Sequence, residues 1–364
     1  MINERIEHQL RTLPASPGVY LMKDAAGNVI YVGKSKNLQQ RVRSYFHISR
    51  NRSKKVERLV HNIKDLEIRL TDTEFEALML ECRLIRELKP MYNKKMKSPQ
   101  GYTYIAIRDN ERIWGLEVAD EPEDPGLRHV YGPYTASRHT VEQAVRSLRE
   151  ALHIACSRSS SSSIGTPCLN HSLGLCLGAC LGGEAIEINN RSLTRITALL
   201  DGTDSGLREE LELRMQEASD RFDFEAAAKV RDALNAIDLF AKQEEIADFA
   251  EQNRNLVVLE HLNEQEAKCF LLRRNQILYS QKFGLSEATH TALSKELADK
   301  ALACFGKAGL PLAGKSSRDE IDEDRIIYRY LHSSDCRHRS IPQTWIETND
   351  STQIAHMLEE IILI

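Results

Sequence analysis

The chain has 364 residues, 41% of them apolar, so it can bury two or three cores and global disorder is excluded. No apolar run approaches the ~20 residues of a membrane span, and residues 1–13 lack the apolar centre of a signal peptide, so the expectation is a cytoplasmic protein with no membrane partner. The net charge of −4 conceals a split: residues 1–97 hold 20 Lys/Arg against 11 Asp/Glu (+9), and the remaining 267 hold 29 against 42 (−13). A basic first region on an acidic remainder points to one part that meets phosphates and another that does not.

In chain order, residues 18–23 and 29–32 are short runs rich in β-branched and aromatic residues. Asp24-Ala25-Ala26-Gly27-Asn28 lies between them, which reads as a β-hairpin. Asn37 can N-cap a helix to about Phe46, and residues 54–64 look helical. Thr73 and Glu76 form a capping box for a helix over about 74–88, which Pro90 stops. Strand-like runs near 103–108 and 113–118 precede an amphipathic helix over 138–153. A serine-rich stretch follows at 157–163. Two helical patterns flank Asp223 within 207–241, an αα-hairpin. Three strand-like runs over 255–283, a helix over about 287–305 and mixed segments complete the chain.

Three details of the basic region exceed what packing needs. The hairpin carries Tyr20 on one strand and Tyr31 on the other; Arg41 and Tyr45, four apart, share a helix face. Glu81 sits within the apolar stripe Ala77, Leu78, Leu84, Ile85, Leu88, where a carboxylate is costly unless it is paired or binds a cation. A carboxylate that holds a divalent metal, an arginine that neutralises a phosphate and a tyrosine that activates water together suit phosphodiester hydrolysis. Tyrosine ionises near pH 10, so as a base it needs help from Lys34 or the metal.

Gly18-Val19-Tyr20, then Tyr31-Val32-Gly33, Lys34-Ser35-Lys36-Asn37-Leu38 and Arg41-Val42-Arg43-Ser44-Tyr45-Phe46 resemble the GIY-YIG nuclease domain in its UvrC form. Glu76-Ala77-Leu78-Met79-Leu80-Glu81 leading to Pro90-Met91-Tyr92-Asn93 is similar to the same family. The resemblance implies that Glu81 is the one protein ligand of Mg²⁺ or Mn²⁺. It implies that Tyr31, or Tyr20, activates or positions the water and that Lys34 supports its ionisation. Arg41 would bind the scissile phosphate, and Tyr45 and Asn93 would orient substrate and site. Lys36, Arg43, Lys94, Lys95 and Lys97 would contact DNA; the basic run Lys94-Lys95-Met96-Lys97 replaces an acidic stretch usual in UvrC and is closer to the stand-alone homologue Cho.

Cys156, Cys168, Cys176 and Cys180 follow the spacing C-x11-C-x7-C-x3-C, which by count suits zinc or an iron–sulfur cluster. The segment resembles the UvrC segment assigned a [4Fe–4S] cluster, with zinc as the alternative; His171 is a candidate ligand that reads better as a loop residue. Arg221-Phe222-Asp223-Phe224-Glu225-Ala226-Ala227 resembles the UVR motif, so Phe222 and Phe224 are expected to bind a UvrB-like partner.

The expected fold is α+β: a small GIY-YIG mixed sheet flanked by helices (1–100), a cysteine-cluster region (101–200), a UVR-like hairpin (207–241) and a small α+β region resembling the UvrC middle domain (242–364). The chain ends where UvrC would continue into an RNase H-like domain, so one nuclease centre is expected. The resemblance implies a metal-dependent endonuclease of nucleotide excision repair that incises damaged double-stranded DNA 3′ of the lesion with UvrB. The alternatives are a non-catalytic DNA- and UvrB-binding adaptor, and an iron–sulfur protein whose redox state gates DNA binding.

Overall fold

The computed structural model describes residues 4–47, 53–93, 102–110, 112–154, 167, 169–285, 290–307 and 320–362. The chain forms two compact units, Met1–Pro99 with Phe249–Ile364, and Gln100–Asp248. The first stretch of unit one contains α1 (Glu4–Arg11), β1 (Gly18–Lys23), β2 (Val29–Ser35), α2 (Leu38–Phe46), α3 (Lys54–Asn62), β3 (Asp65–Leu70) and α4 (Glu74–Leu88). Unit two contains β4 (Thr103–Asn110), β5 (Ile113–Ala119), β6 (Leu127–Tyr134), α5 (Arg138–Ala151), α6 (Leu169–Ser172), α7 (Glu184–Leu200), α8 (Gly206–Asp220) and most of α9 (Phe224–Glu251). The chain then returns to unit one with β7 (Asn255–His261), β8 (Glu266–Arg273), β9 (Gln276–Gly284), α10 (His290–Lys307), α11 (Ile321–Leu331), β10 (Cys336–Ile341), α12 (Gln343–Glu347) and α13 (Ser351–Ile362).

The first sheet of unit one is antiparallel in the order β2-β1-β3. Its hairpin turn closes because Asp24 Oδ1 accepts from the Ala26 and Asn28 amides, both at 2.9 Å. In the register Tyr20 faces Gly33 and Met22 faces Tyr31. Alternation sends Tyr20 and Met22 to one face, with Leu38, Val42 and Tyr45 of α2 and Leu59 of α3. Val19, Leu21 and Val32 go to the other face, against Ala77, Leu84 and Ile85 of α4. The capping box at Thr73 and Glu76 forms as the sequence suggests, and Lys89 in the left-handed region ends α4 before Pro90. Strand β3 was not anticipated; Leu66 is buried in the core under α1–α3, and Lys23 pairs with Glu67 at 2.6 Å to tie it to β1.

Helix α4 has a second apolar face that the sequence stripe did not show. Phe75, Met79 and Cys82 pack with Leu256 and Val258 of β7, Phe270 and Leu272 of β8, and Ile327, Tyr330 and Leu331 of α11. The second sheet of unit one, in the order β10-β7-β8-β9, thus lies on the far side of α4 from the first. Its opposite face, with Val257, Leu259, Cys269 and Leu271, is covered by α10 and α13 through Leu297, Phe305, Ile354 and Leu358. The expected separation of 1–100 from 242–364 therefore gives way to one unit with a shared helix.

In unit two a three-stranded sheet, β5-β4-β6, packs with α5, α7 and the base of the α8–α9 hairpin. Leu207, Leu211, Val230, Leu234 and Ile237 of the hairpin lie in this core. Asp223 Oδ1 accepts from the Ala226 amide at 3.0 Å and caps α9, while Phe222 takes a positive φ of 59° in the turn. No Gly or Pro interrupts residues 224–251, so α9 runs through the expected boundary at 241/242 to Glu251.

Candidate active site

Two glycines on the strands of the hairpin make room for the centre. A Cβ at Gly33 would lie 2.3 Å from the Tyr20 hydroxyl oxygen and 2.4 Å from its ring carbon Cζ, so only glycine lets the Tyr20 ring cross β2. A Cβ at Gly18 would lie 2.4 Å from the Arg69 carbonyl and 2.8 Å from Leu38 Cδ1, where β1 meets both β3 and α2. Asn37 N-caps α2 by accepting from the Gln40 amide at 2.9 Å, which fixes the turn from which Arg41 and Tyr45 project.

Tyr20, Tyr31 and Tyr45 form a triangle with ring centroids 5.9–6.1 Å apart. The Tyr20 and Tyr45 hydroxyls are 3.0 Å apart, and the Tyr45 hydroxyl donates to that of Tyr31 at 3.4 Å. Arg41 Nη2 donates to the Tyr45 hydroxyl at 3.4 Å, and its guanidinium lies 5.2 Å from the Tyr45 ring centroid. Tyr20 is 1% exposed, whereas Tyr31 is half-buried and Arg41 exposed.

Burial holds both Tyr20 and Tyr31 well above the usual tyrosine range, reinforced by the neighbouring phenols. The Glu81 carboxylate also pushes Tyr31 up, and Arg41 pulls both down. Burial works against the Arg41 guanidinium, but the three phenols outweigh it and raise its pKa, so Arg41 stays cationic.

Glu81 is half-buried on α4. Burial raises its pKa, and the backbone amide of Lys34, donating to Oε1 at 3.1 Å, together with the charges of Lys34 and Arg41, partly offsets this. No other hydrogen bond to its carboxylate is formed among the described residues. A single half-buried carboxylate suits Mg²⁺, which keeps several waters and takes one or two protein carboxylates. Among the described residues there is no grouping of three or more His, Cys, Asp or Glu that could hold a metal.

Lys34 and Lys36 stand differently from expectation. The Lys34 ammonium pairs with Glu74 in the first turn of α4, not with a tyrosine, and Lys36 pairs with the same carboxylate at 2.8 Å. It is the Lys34 backbone that serves Glu81. Arg43, expected on DNA, turns away: its Nε donates to the Leu10 carbonyl at 2.9 Å and secures the end of α1. Asn93 lies along β2 and acts through Val32, accepting from its amide at 3.0 Å and donating to its carbonyl at 2.9 Å. The adjacent Tyr92 amide donates to the Ile30 carbonyl at 3.0 Å. Lys94, Lys95 and Lys97 lie outside the described residues.

Sequence reasoning missed Glu74, which reads as a helix-start charge. It missed the ring of partners around α4 described below.

Of the four clustered cysteines, Cys156 and Cys168 lie outside the described residues. Cys176 is buried and Cys180 exposed in a 3₁₀ turn, Ala179–Leu181. His171 Nδ1 lies 3.3 Å from the Cys176 carbonyl, which makes it a brace of this loop. At the hairpin tip Phe222 and Phe224 are 79% and 64% exposed and meet edge to face at 6.2 Å.

Residues 16–94, which hold the tyrosine triangle, Arg41 and Glu81, match the family described as the UvrC-like GIY-YIG domain. Residues 16–94 are a UvrC-like GIY-YIG domain. Beyond this UvrC-like GIY-YIG domain, residues 102–199 match the UvrC/Cho excinuclease middle domain, and 206–239 match the UvrB/UvrC motif. The middle-domain family therefore falls on the first part of unit two, upstream of the 242–364 region where the sequence reading had placed it. UvrABC system protein C of Clostridium perfringens (strain SM101) is 32% identical over 332 residues, 89% of this chain and 53% of that protein. The same protein of Acetivibrio thermocellus is 32% identical over 331 residues, 90% and 52%. The chain spans about half the length of the curated relatives it matches. The magnesium-bound GIY-YIG N-terminal endonuclease domain of UvrC from Thermotoga maritima is 36% identical, covering 26% of this chain and all of that one, with a TM-score of 0.24.

Proposed function

We propose that the chain is a divalent-metal-dependent endodeoxyribonuclease that incises one strand of damaged double-stranded DNA, on the 3′ side of the lesion, together with a UvrB-like partner. The observation that carries this reading is the convergence of Tyr20, Tyr31, Tyr45 and Arg41, with Glu81 reached from the same β2 segment through the Lys34 amide.

Tyr31, the half-exposed member of the triangle, meets the attacking water and, in its ionised form, takes the water's proton as the new bond to phosphorus forms and the bond from phosphorus to the departing sugar oxygen breaks, that oxygen taking a proton from solvent. Tyr45 holds the Tyr31 hydroxyl in place, and Tyr20 holds Tyr45. Arg41, cationic and exposed beside them, neutralises a non-bridging phosphate oxygen as charge builds there. Glu81 would hold a divalent cation, which when bound would supply Lewis-acid stabilisation of that charge and favour the ionised tyrosine. The run Lys94, Lys95, Lys97 supports the backbone of the duplex. Base readout is not part of this design, so the partner chooses the position.

The four cysteines offer thiolates of the kind that hold a [4Fe–4S] cluster, with zinc as the competing occupant. Phe222 and Phe224 present an apolar tip, in the segment that matches the UvrB/UvrC motif, to a helical partner. Among the described residues no helix is long and apolar enough to cross a membrane.

The test is nicking of a lesion-bearing duplex with Mg²⁺ or Mn²⁺ and a UvrB partner. Glu81→Ala is expected to lower the rate by on the order of 100-fold or more. If wild type and Glu81→Ala are equally active or equally inert, the nuclease reading falls and a non-catalytic adaptor takes its place.

A further inference from the structure

The helix that carries Glu81 is gripped on its outer side by the C-terminal stretch of unit one. Phe75 stacks flat on Tyr330, with centroids 3.9 Å apart and planes 5° apart, and meets Phe270 edge-on at 5.3 Å. Apolar contacts of this kind hold a helix against a sheet but resist rotation and sliding only weakly. Two charged residues supply the missing specificity. Lys268 of β8, with a side chain 7% exposed, pairs with Asp72 at 2.5 Å and Glu76 at 3.0 Å, at the start of α4. Glu323 of α11, with a side chain 3% exposed, accepts from Arg83 Nε at 3.1 Å and from both terminal nitrogens of Arg86 at 3.1 Å.

Charges so buried are costly and contribute little net stability, so their value lies in fixing one arrangement. Glu76 and Arg86 are about 15 Å apart along the axis at 1.5 Å per residue, and Glu81 lies midway between them. A helix held at both points has no freedom to turn or slip. A turn of 20° would carry a carboxylate at a radius of about 6 Å through about 2 Å, and a 1 Å error at a reacting centre costs on the order of 100-fold in rate.

We infer that Lys268 and Glu323 are positioning residues of the nuclease: they fix the rotation and axial position of α4, and so place the Glu81 carboxylate for the Lys34 amide and the cation. This rests on the reading that Glu81 holds the metal.

The experiment uses the full chain and reads Mn²⁺ binding without DNA, from the loss of the free Mn²⁺ paramagnetic resonance signal, beside nicking rate and thermal midpoint. Wild type should bind Mn²⁺ and Glu81→Ala should not. If that difference is missing, the metal reading fails and this inference with it. Glu323→Gln should weaken Mn²⁺ binding about 3- to 10-fold and slow nicking on the order of 100-fold. Arg83→Gln with Arg86→Gln, made on the partly exposed side of the pair, should do the same and decides the matter if Glu323→Gln fails to fold. Arg86→Lys, which keeps the charge, should recover part of the loss. If the Glu323 and arginine variants lower only the thermal midpoint and leave Mn²⁺ affinity at the wild-type value, the grip is structural and the inference is overturned.

Discussion

Gly33→Ala is the sharpest probe of the tyrosine triangle. The new methyl would sit 2.3 Å from the Tyr20 hydroxyl oxygen, 2.4 Å from Cζ and 2.9 Å from Cε2. Tyr20 is 1% exposed and cannot swing into solvent. The ring must move by about 1 Å, which breaks its 3.0 Å contact with Tyr45. Overpacking of this kind costs about 1–3 kcal/mol, and the lost hydrogen bond adds about 1 kcal/mol. The alanine returns roughly 0.5–1 kcal/mol by restricting the unfolded chain. The net loss is about 1–3 kcal/mol, or roughly 2–12 °C in the midpoint for a unit of this size. Nicking should fall on the order of 100-fold, because Tyr45 and through it Tyr31 lose their brace. Calorimetry and a nicking time course measure the two effects. In a Tyr20→Ala background the methyl has space, so the same substitution should destabilise no longer and instead add roughly 0.5–1 kcal/mol. Gly33→Ala with wild-type midpoint and wild-type nicking would refute the steric account of the motif.

Two further outcomes follow from the site. Glu74→Gln releases Lys34 and Lys36, so DNA affinity should rise and the slope of log affinity against log salt should steepen by about 1 to 2, read by fluorescence anisotropy; an unchanged slope would show that the lysines already serve phosphates. Glu81 has a folded pKa raised by burial above its ordinary value of 4.5, so its contribution to stability is full below that value and is lost as pH rises through the raised one. A cation competes with the proton, so the Mg²⁺-induced rise in thermal midpoint should grow over that same ascent, and Glu81→Gln should abolish both the pH step and the Mg²⁺ response.

Local structure was largely legible. The hairpin announced itself through its Gly/Asn turn, and Asn37 and Thr73 announced the helix starts with side chains that accept the predicted amides. The conflict between Glu81 and its apolar neighbours marked the centre. Long-range partnerships were not legible. Phe75, Met79 and Cys82 recur at helical spacing, but the surface they meet lies some 170 to 250 residues further along the chain. Lys34 offered no sign that its ammonium would go to Glu74 while its amide went to Glu81, because a sequence shows one residue and not its two chemically distinct halves. Strand β3 alternates charge with Leu66, Ile68 and Leu70, but Leu70 ends up exposed, so the pattern was weak.

The Asn93 clasp on Val32 has a consequence for solubility. Strand β2 is the outer strand of its sheet, and an outer strand offers unpaired amides and carbonyls that can recruit a strand from another molecule. A side-chain amide carries the same donor and acceptor as a peptide bond, so Asn93 and the Tyr92 amide stand in for a neighbouring strand at Val32 and Ile30. The border that carries Tyr31 is thereby blunted against edge-to-edge aggregation without a further strand among the described residues.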